Sequence, residues 1–120
     1  MVSETIAGRI AENEHAFREA NERIHQASDK IAREVDPLPF ICECSIRTCV
    51  ETTRLSRADY LRVRADDRTF LVVRGHEVTH VEGVEVARVR ETSDRFSILE
   101  KVGEAGRRSE ELARDGEQAR

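Results

Sequence analysis

Apolar side chains recur along the first third of the chain at helical spacing. Ile6, Ile10, Asn13, Phe17, Ala20, Ile24, Ala27 and Ile31 follow in alternating steps of four and three, a heptad stripe of nearly four repeats. The period predicts one long amphipathic helix over residues 3–35, with Ser3 as N-cap and Glu4 in the first turn, where the helix dipole favours an acid. Glu14–Arg18 and Glu19–Arg23 stand at i,i+4 with the acid first, and Pro37 and Pro39 stop the helix. A helix of this length is about 45 Å long at 1.5 Å per residue, more than the small remainder of the chain can cover. The stripe therefore points to a protein partner or a homodimer through helix 3–35. Packing on the chain's own sheet is the alternative. Asn13 and two alanines in the seam would make any coiled coil a modest one.

Beyond the prolines the period changes. Phe40 and Ile41 open a short strand that runs into a cysteine-bearing turn. Ser56 and Asp59 stand as a capping box with Asp in the Glu role, opening a helix to about Ala65 with Tyr60, Leu61 and Val63 facing inward. Thr69 to Val73 is a β-branched run and reads as a strand, and residues 75–82 read as irregular. Val84 to Glu91 and Phe96 to Val102 read as strands joined by Thr92-Ser93-Asp94, a hairpin. Phe40, Phe70 and Phe96 are the natural core of the small sheet. The predicted fold is α+β: a long N-terminal helix, then a small mainly antiparallel sheet with one short helix and a zinc knot. Residues 3–36 form the helix and 37–103 the zinc-stabilised domain. Residues 104–120, with almost nothing to bury, form a disordered or weakly helical tail.

Composition sharpens this reading. Of 120 residues, 37% are charged and only 4% aromatic, without a Trp, so the core is small and calls for support from a metal, a disulfide or a partner. The formal charge of −4 gives no global attraction to nucleic acid. The first ten residues are neither basic nor apolar enough for a signal peptide, and no stretch nears the roughly 20 apolar residues of a membrane span. No membrane association and a cytoplasmic location are expected. Thiols stay reduced there, so clustered cysteines point to metal or redox chemistry.

All three cysteines, Cys42, Cys44 and Cys49, fall within eight residues. Thiolates are strong zinc ligands, and a tetrahedral site needs a fourth donor. His76, after Gly75, is the preferred fourth ligand for Zn2+, with His80 as the fallback. Both histidines could serve if one cysteine did not. Such a site is closed, which favours structure over catalysis. Glu43 and Glu77 are candidates to accept the histidine's free N–H, although solvated surface carboxylates are the simpler reading. His15 and His25 fall off the heptad stripe and read as surface residues. The cysteine spacing is similar to that of the zinc site in the post-SET segment of histone methyltransferases, in spacing alone. A thiol redox switch through Cys44 and Cys49, leaving Cys42 free, and inert buried thiols are the other readings.

A broader likeness runs through Asn13-Glu14, Phe17-Arg18 and Asn21-Glu22-Arg23-Ile24, then Phe40-Ile41-Cys42-Glu43-Cys44, Cys49 and Leu55 to Tyr60. It continues through Val63-Arg64, Phe70-Leu71-Val72, Gly75-His76-Glu77 and Glu100-Lys101-Val102. In these residues the chain resembles an uncharacterised family of small bacterial, mostly actinobacterial, proteins, over most of residues 12–103. The resemblance implies three cysteines and one histidine as a donor set, with His76 as the histidine, and implies no activity. Ser45-Ile46-Arg47 stands where the family has a Gly- or Asp-rich turn, and Arg74 where it has Pro.

For function, the features favour a small zinc-binding regulatory or protein-interaction module. No nucleophile–base pair, phosphate loop or open metal site suggests an enzyme. A zinc/thiol redox sensor is one alternative. Another is a nucleic-acid-binding regulator using residues 44–74, where seven arginines stand against Glu51, Asp59, Asp66 and Asp67, a net of +3. Without aromatic interleaving and with an acidic remainder, nucleic acid is the weaker partner.

Overall fold

A computed structural model describes residues 6–31, 36–44, 46 and 48–118. The expected N-cap, Ser3, and the expected last turn of the first helix lie outside the described residues. The elements run α1 (Ile6–Ile31), β1 (Leu38–Ile41), β2 (Thr52–Leu55), α2 (Arg57–Arg64), β3 (Thr69–Val73), β4 (His80–Val81), β5 (Val84–Glu85), β6 (Ala87–Thr92), β7 (Phe96–Lys101) and α3 (Gly103–Gln118). The architecture is α+β, as the patterning predicts. Among the described residues no helix is long and apolar enough to cross a membrane.

The centre is an antiparallel sheet in the order β3-β7-β6. β3 and β7 are buried on both faces, and their alternation sorts side chains into two layers. Leu71, Phe96 and Ile98 join Leu38, Phe40, Leu55, Tyr60 and Val63 from β1, β2 and α2. Val72 and Leu99 join Cys42, Cys44, Val86, Ala87 and Ala105. β1 and β2 pair as a separate antiparallel ribbon. β2 is absent from the sequence reading, although its Thr-Thr pair is a β signal, and its exposed–buried alternation is that of a half-covered strand. β4, inside the stretch read as irregular, pairs with β5 as a second small ribbon, and the strand expected from Val84 to Glu91 is divided between β5 and β6. The ribbon's two central residues, Glu82 and Gly83, both take positive φ (51° and 81°), the requirement of a type I′ turn.

α2 starts where the capping box places it, with the Ser56 hydroxyl accepting from the Asp59 N–H at 3.0 Å. Tyr60 and Val63 are buried, and Tyr60 stacks on Phe40 at 4.3 Å between centroids. Leu61, expected inside, is 54% exposed. It lies next to Tyr60 on an eight-residue helix whose inner face holds only every third or fourth residue.

α1 lies against β1 and α3. Its buried face is not the heptad stripe but a line one position away: Ala11, Glu14, Arg18 and Asn21. Of the stripe, Ile10, Asn13, Phe17, Ala20 and Ile24 are half-buried, Ile24 against the core, and Ala27 is exposed. Glu14 is ion-paired with Lys101 at the end of β7, both buried. Arg18 donates to the Asp67 carbonyl at 2.7 Å and lies over the Phe70 ring at 4.6 Å. These tertiary partners replace the expected local Glu14–Arg18 pair, because burial makes each charge seek a desolvated counterpart. His15 and His25 are half-buried, not free surface residues: His25 sits on the Tyr60 ring at 5.1 Å, and His15 is paired with Glu19.

The segment expected as a disordered or weakly helical tail, residues 104–120, is helical in α3 (Gly103–Gln118). Residues 103–118 form a helix with Ala105, Gly106 and Ser109 buried. Small side chains let it approach closely without an apolar stripe, and Arg108 clasps Glu12 of α1 at 2.7 Å. A Cβ on Gly106 would lie 2.8 Å from the Lys101 carbonyl and 2.6 Å from the Arg68 guanidinium.

Two consequences are measurable. Gly106→Ala is expected to cost about 1–3 kcal/mol of stability by urea unfolding, from overpacking against backbone; an unchanged midpoint would show that α3 shifts freely. Burial raises the Glu14 carboxyl to about 7, against the opposing pull of Lys101. Between about pH 4.5 and 7 the folded state therefore holds a proton that the unfolded state has lost, and stability falls as pH rises through that window. Relative to Glu14→Gln, the wild type should lose stability between about pH 4.5 and 7, by at most about 1.4 kcal/mol per pH unit. A pH-independent difference between the two would contradict a buried, titrating Glu14.

Candidate metal centre

β1 carries the chain straight into Cys42, Glu43 and Cys44. The Cys42 N–H still donates to the Glu51 carbonyl (3.0 Å), as the ribbon with β2 requires, but the next N–H, of Glu43, donates to the Leu71 carbonyl of β3 (2.8 Å). The segment thus bridges the ribbon and the sheet in an extended conformation. Side chains alternate in such a segment. Cys42 and Cys44 share one side and Glu43 points to the other.

The third sulfur comes back through a turn, in which the Cys49 N–H donates to the Ile46 carbonyl at 3.0 Å. The histidine is set by a turn after β3, where the His76 N–H donates to the Val73 carbonyl at 2.9 Å. Gly75, at its third position, has φ 98°. That is the left-handed conformation a type II turn needs there, and glycine supplies it without strain.

Cys42, Cys44, Cys49 and His76 converge. Their ligand atoms all lie within 4.8 Å of one another. His76 Nδ1 stands 3.7 Å from Cys42 Sγ and 3.5 Å from Cys49 Sγ. Around a tetrahedral ion with bonds near 2.3 Å to sulfur and 2.0–2.1 Å to nitrogen, the sulfur–nitrogen edge is about 3.6 Å. The donor set and spacing therefore fit a metal ion. The residues that sequence reasoning favoured are those that meet, whereas His80, the fallback, is exposed on β4 beside Thr79 and stays outside the cluster.

No protein-family model, characterised protein or solved structure matches the chain. Its chemistry is therefore read from the site itself. Cys42 and Cys44 are buried, and burial raises both thiols above their ordinary range. The Val73 N–H donates to Cys42 Sγ at 3.1 Å, which opposes that shift. Binding a cation here displaces thiol protons.

The carboxylate that orients the histidine is neither of those expected. His76 Nε2 lies 2.7 Å from Glu51 Oε2. A proton on Nε2 directed at Glu51 leaves the Nδ1 lone pair facing the three sulfurs. The signal for Glu51 lay in its place two residues beyond Cys49 at the mouth of β2, a strand the sequence reading lacks. Glu77 instead accepts from the Ser97 hydroxyl (2.6 Å) and the Gly75 N–H (3.1 Å), and these bonds, the hydroxyl first, hold its carboxyl below the usual range.

Glu43 overturns both of its readings. It is fully buried and far from solvent chemistry. Its Oε1 accepts from Arg64 (2.7 Å) and from the Leu71 N–H (2.9 Å), and its Oε2 from Asn21 (2.7 Å).

Glu51→Gln is expected to weaken metal binding by about 10–100-fold while leaving the fold intact, as loss of a partner to a ligating histidine does. Competition titration against a chelator of known affinity measures it; an unchanged constant would show that the Glu51 contact does not orient His76.

Proposed function

We propose that the chain is a small zinc-binding module in which the metal is structural, and that the module acts through protein contacts in a regulatory setting. The observation that carries this reading is the convergence of three sulfurs and one imidazole nitrogen within 4.8 Å. Protein atoms then fill all four positions of a tetrahedral ion, leaving none for water or substrate. A thiolate-rich tetrahedral set suits zinc. The resemblance to the uncharacterised bacterial family supports the same four donors. Closed sites of this kind contribute folding free energy, on the order of 10 kcal/mol in small zinc peptides, which suits a chain with so small a core. A non-enzymatic role agrees with a closed site.

The contact surface in this reading is the flank of α1, where Phe17, Ala20 and Ile24 stay half-buried beside the packed face. It would hold a protein partner or a second copy. The arginine-rich segment is a poorer candidate for nucleic acid than its charge suggests. Arg62 is bonded to Asp59 and Glu91, Arg64 to buried Glu43, and Arg68 to Glu110 of α3.

Protein purified without added metal is expected to carry close to one zinc per chain by elemental analysis. Chelation should abolish the cooperative melting of residues 39–102. Absence of metal, together with circular dichroism and melting unchanged by chelator, would overturn the structural-zinc reading. Light scattering separates a 13.7 kDa monomer from a dimer and tests the α1 flank as a self-association surface.

A further inference from the structure

We propose that the metal centre is opened by oxidation in a fixed order: Cys49 is attacked first, Cys44 resolves it, and Cys42 keeps its thiol. This rests on the metal-site reading above and gives that site a regulator, a hydroperoxide.

The order follows from the unequal burial of the three cysteine residues. Cys42 is 0% exposed and Cys44 1%, both packed into the layer with Val72, Val86 and Leu99. Cys49 is partly exposed, and its neighbours Thr48 and Val50 are open to solvent, Val50 at 87%. An oxidant from solution meets Cys49 first, and accessible thiolates are the ones oxidised.

The second sulfur is selected by what each remaining cysteine would have to give up. Cys42 is tied at both ends: its N–H donates to Glu51 (3.0 Å) and its sulfur accepts from the Val73 N–H (3.1 Å). Drawing its sulfur towards Cys49 breaks the bond to the Val73 N–H of β3. Cys44 Sγ has a long contact to the Ile46 carbonyl, at 3.9 Å, and otherwise meets the other two cysteines. Cys44 is also nearer than Cys42 to Cys49 along the chain, and its sulfur is within 4.8 Å of Cys49's. A Cys42–Cys44 bond is unfavourable, because only one residue separates the two along an extended segment.

The chemistry balances with hydrogen peroxide as oxidant. The Cys49 thiolate attacks one peroxide oxygen, the O–O bond breaks, and hydroxide leaves, giving a sulfenic acid. The Cys44 thiolate then attacks the Cys49 sulfur, the S–O bond breaks, a second hydroxide leaves, and the disulfide forms. The two sulfurs lose two electrons, the peroxide gains them, and two solvent protons convert the hydroxides to water. The ion loses two of its four donors and dissociates, so the turn bearing His76 is no longer joined to the segment bearing Cys42.

The test treats the zinc-loaded full chain with hydrogen peroxide, follows zinc with a chromogenic chelator, and maps the thiols by mass spectrometry. One zinc released per Cys44–Cys49 disulfide, with Cys42 still alkylatable and reductant restoring binding, is the expected result. Cys49→His keeps a fourth donor and should slow peroxide-driven release by at least about tenfold. If that variant does not hold zinc, mapping of the wild type decides alone. Zinc retained in excess peroxide, or a disulfide that includes Cys42, would overturn the proposal with the zinc reading intact. Failure of the zinc reading shows earlier, as protein without metal before any oxidant is added, and the proposal falls with it.

Discussion

The Glu43 carboxylate ties α1, α2 and β3 together through a single buried group. It takes hydrogen bonds from Asn21 of α1, Arg64 of α2 and the Leu71 N–H of β3, all at 2.7–2.9 Å, from a position with no exposure to water. A buried carboxylate without partners would cost several kcal/mol, so the three donors are a condition of the fold and not an ornament on it. Asn21 extends the same junction: its amide donates to the Ile41 carbonyl and accepts from the Ile41 N–H, both at 2.7 Å, so one side chain completes the hydrogen bonding of the β1 edge. Around the Phe70 ring, Arg18, Arg64 and Lys101 stand at 4.6, 5.8 and 5.5 Å, and Lys101 is held by Glu14. The inner face of α1 is thus specified by charge and hydrogen bonding more than by apolar area.

That arrangement accounts for which features were legible in the sequence. Elements whose burial follows apolar periodicity were read nearly to the residue: β3 as Thr69–Val73, α2 from its cap at Ser56, and β7 from Phe96, whereas the exposed strand before it was read three residues early. The four candidate metal donors were legible because three cysteines crowded into eight residues, in a chain with no more of them, can converge on a single cation. The face of α1 was not. Glu14, Arg18 and Asn21 recur at helical spacing as faithfully as the heptad stripe does, but polar residues at that spacing ordinarily face solvent, and only their distant partners reveal that they face inward. Glu43 was obscure for the same reason. Its partners come from residues 21, 64 and 71, and nothing local distinguishes it from a surface acid. α3 was hidden by the opposite feature, an interface of Ala105, Gly106 and Ser109 whose smallness is the means of contact.

The candidate metal site and the charged core are two sides of one three-residue segment. Alternation along Cys42-Glu43-Cys44 turns two sulfurs to the ligand cluster and the carboxylate to the core. The carboxylate fixes the backbone from which both sulfurs project, through Arg64 and Asn21, while a bound ion would fix the same backbone from the other side. A network of this kind needs its geometry held closely, because a half-satisfied buried carboxylate is worse than an apolar side chain. Anchoring the sulfurs through a metal would supply rigidity to a core that holds three phenylalanines, Phe40, Phe70 and Phe96, and no tryptophan. The coupling also runs outward: Asn21 lies on α1, so the helix that carries the half-buried apolar flank is bonded to the residue between two of the ligands. A change in the state of the sulfurs therefore has a direct mechanical route, through one peptide unit and one carboxylate, to the surface on which a partner would be held.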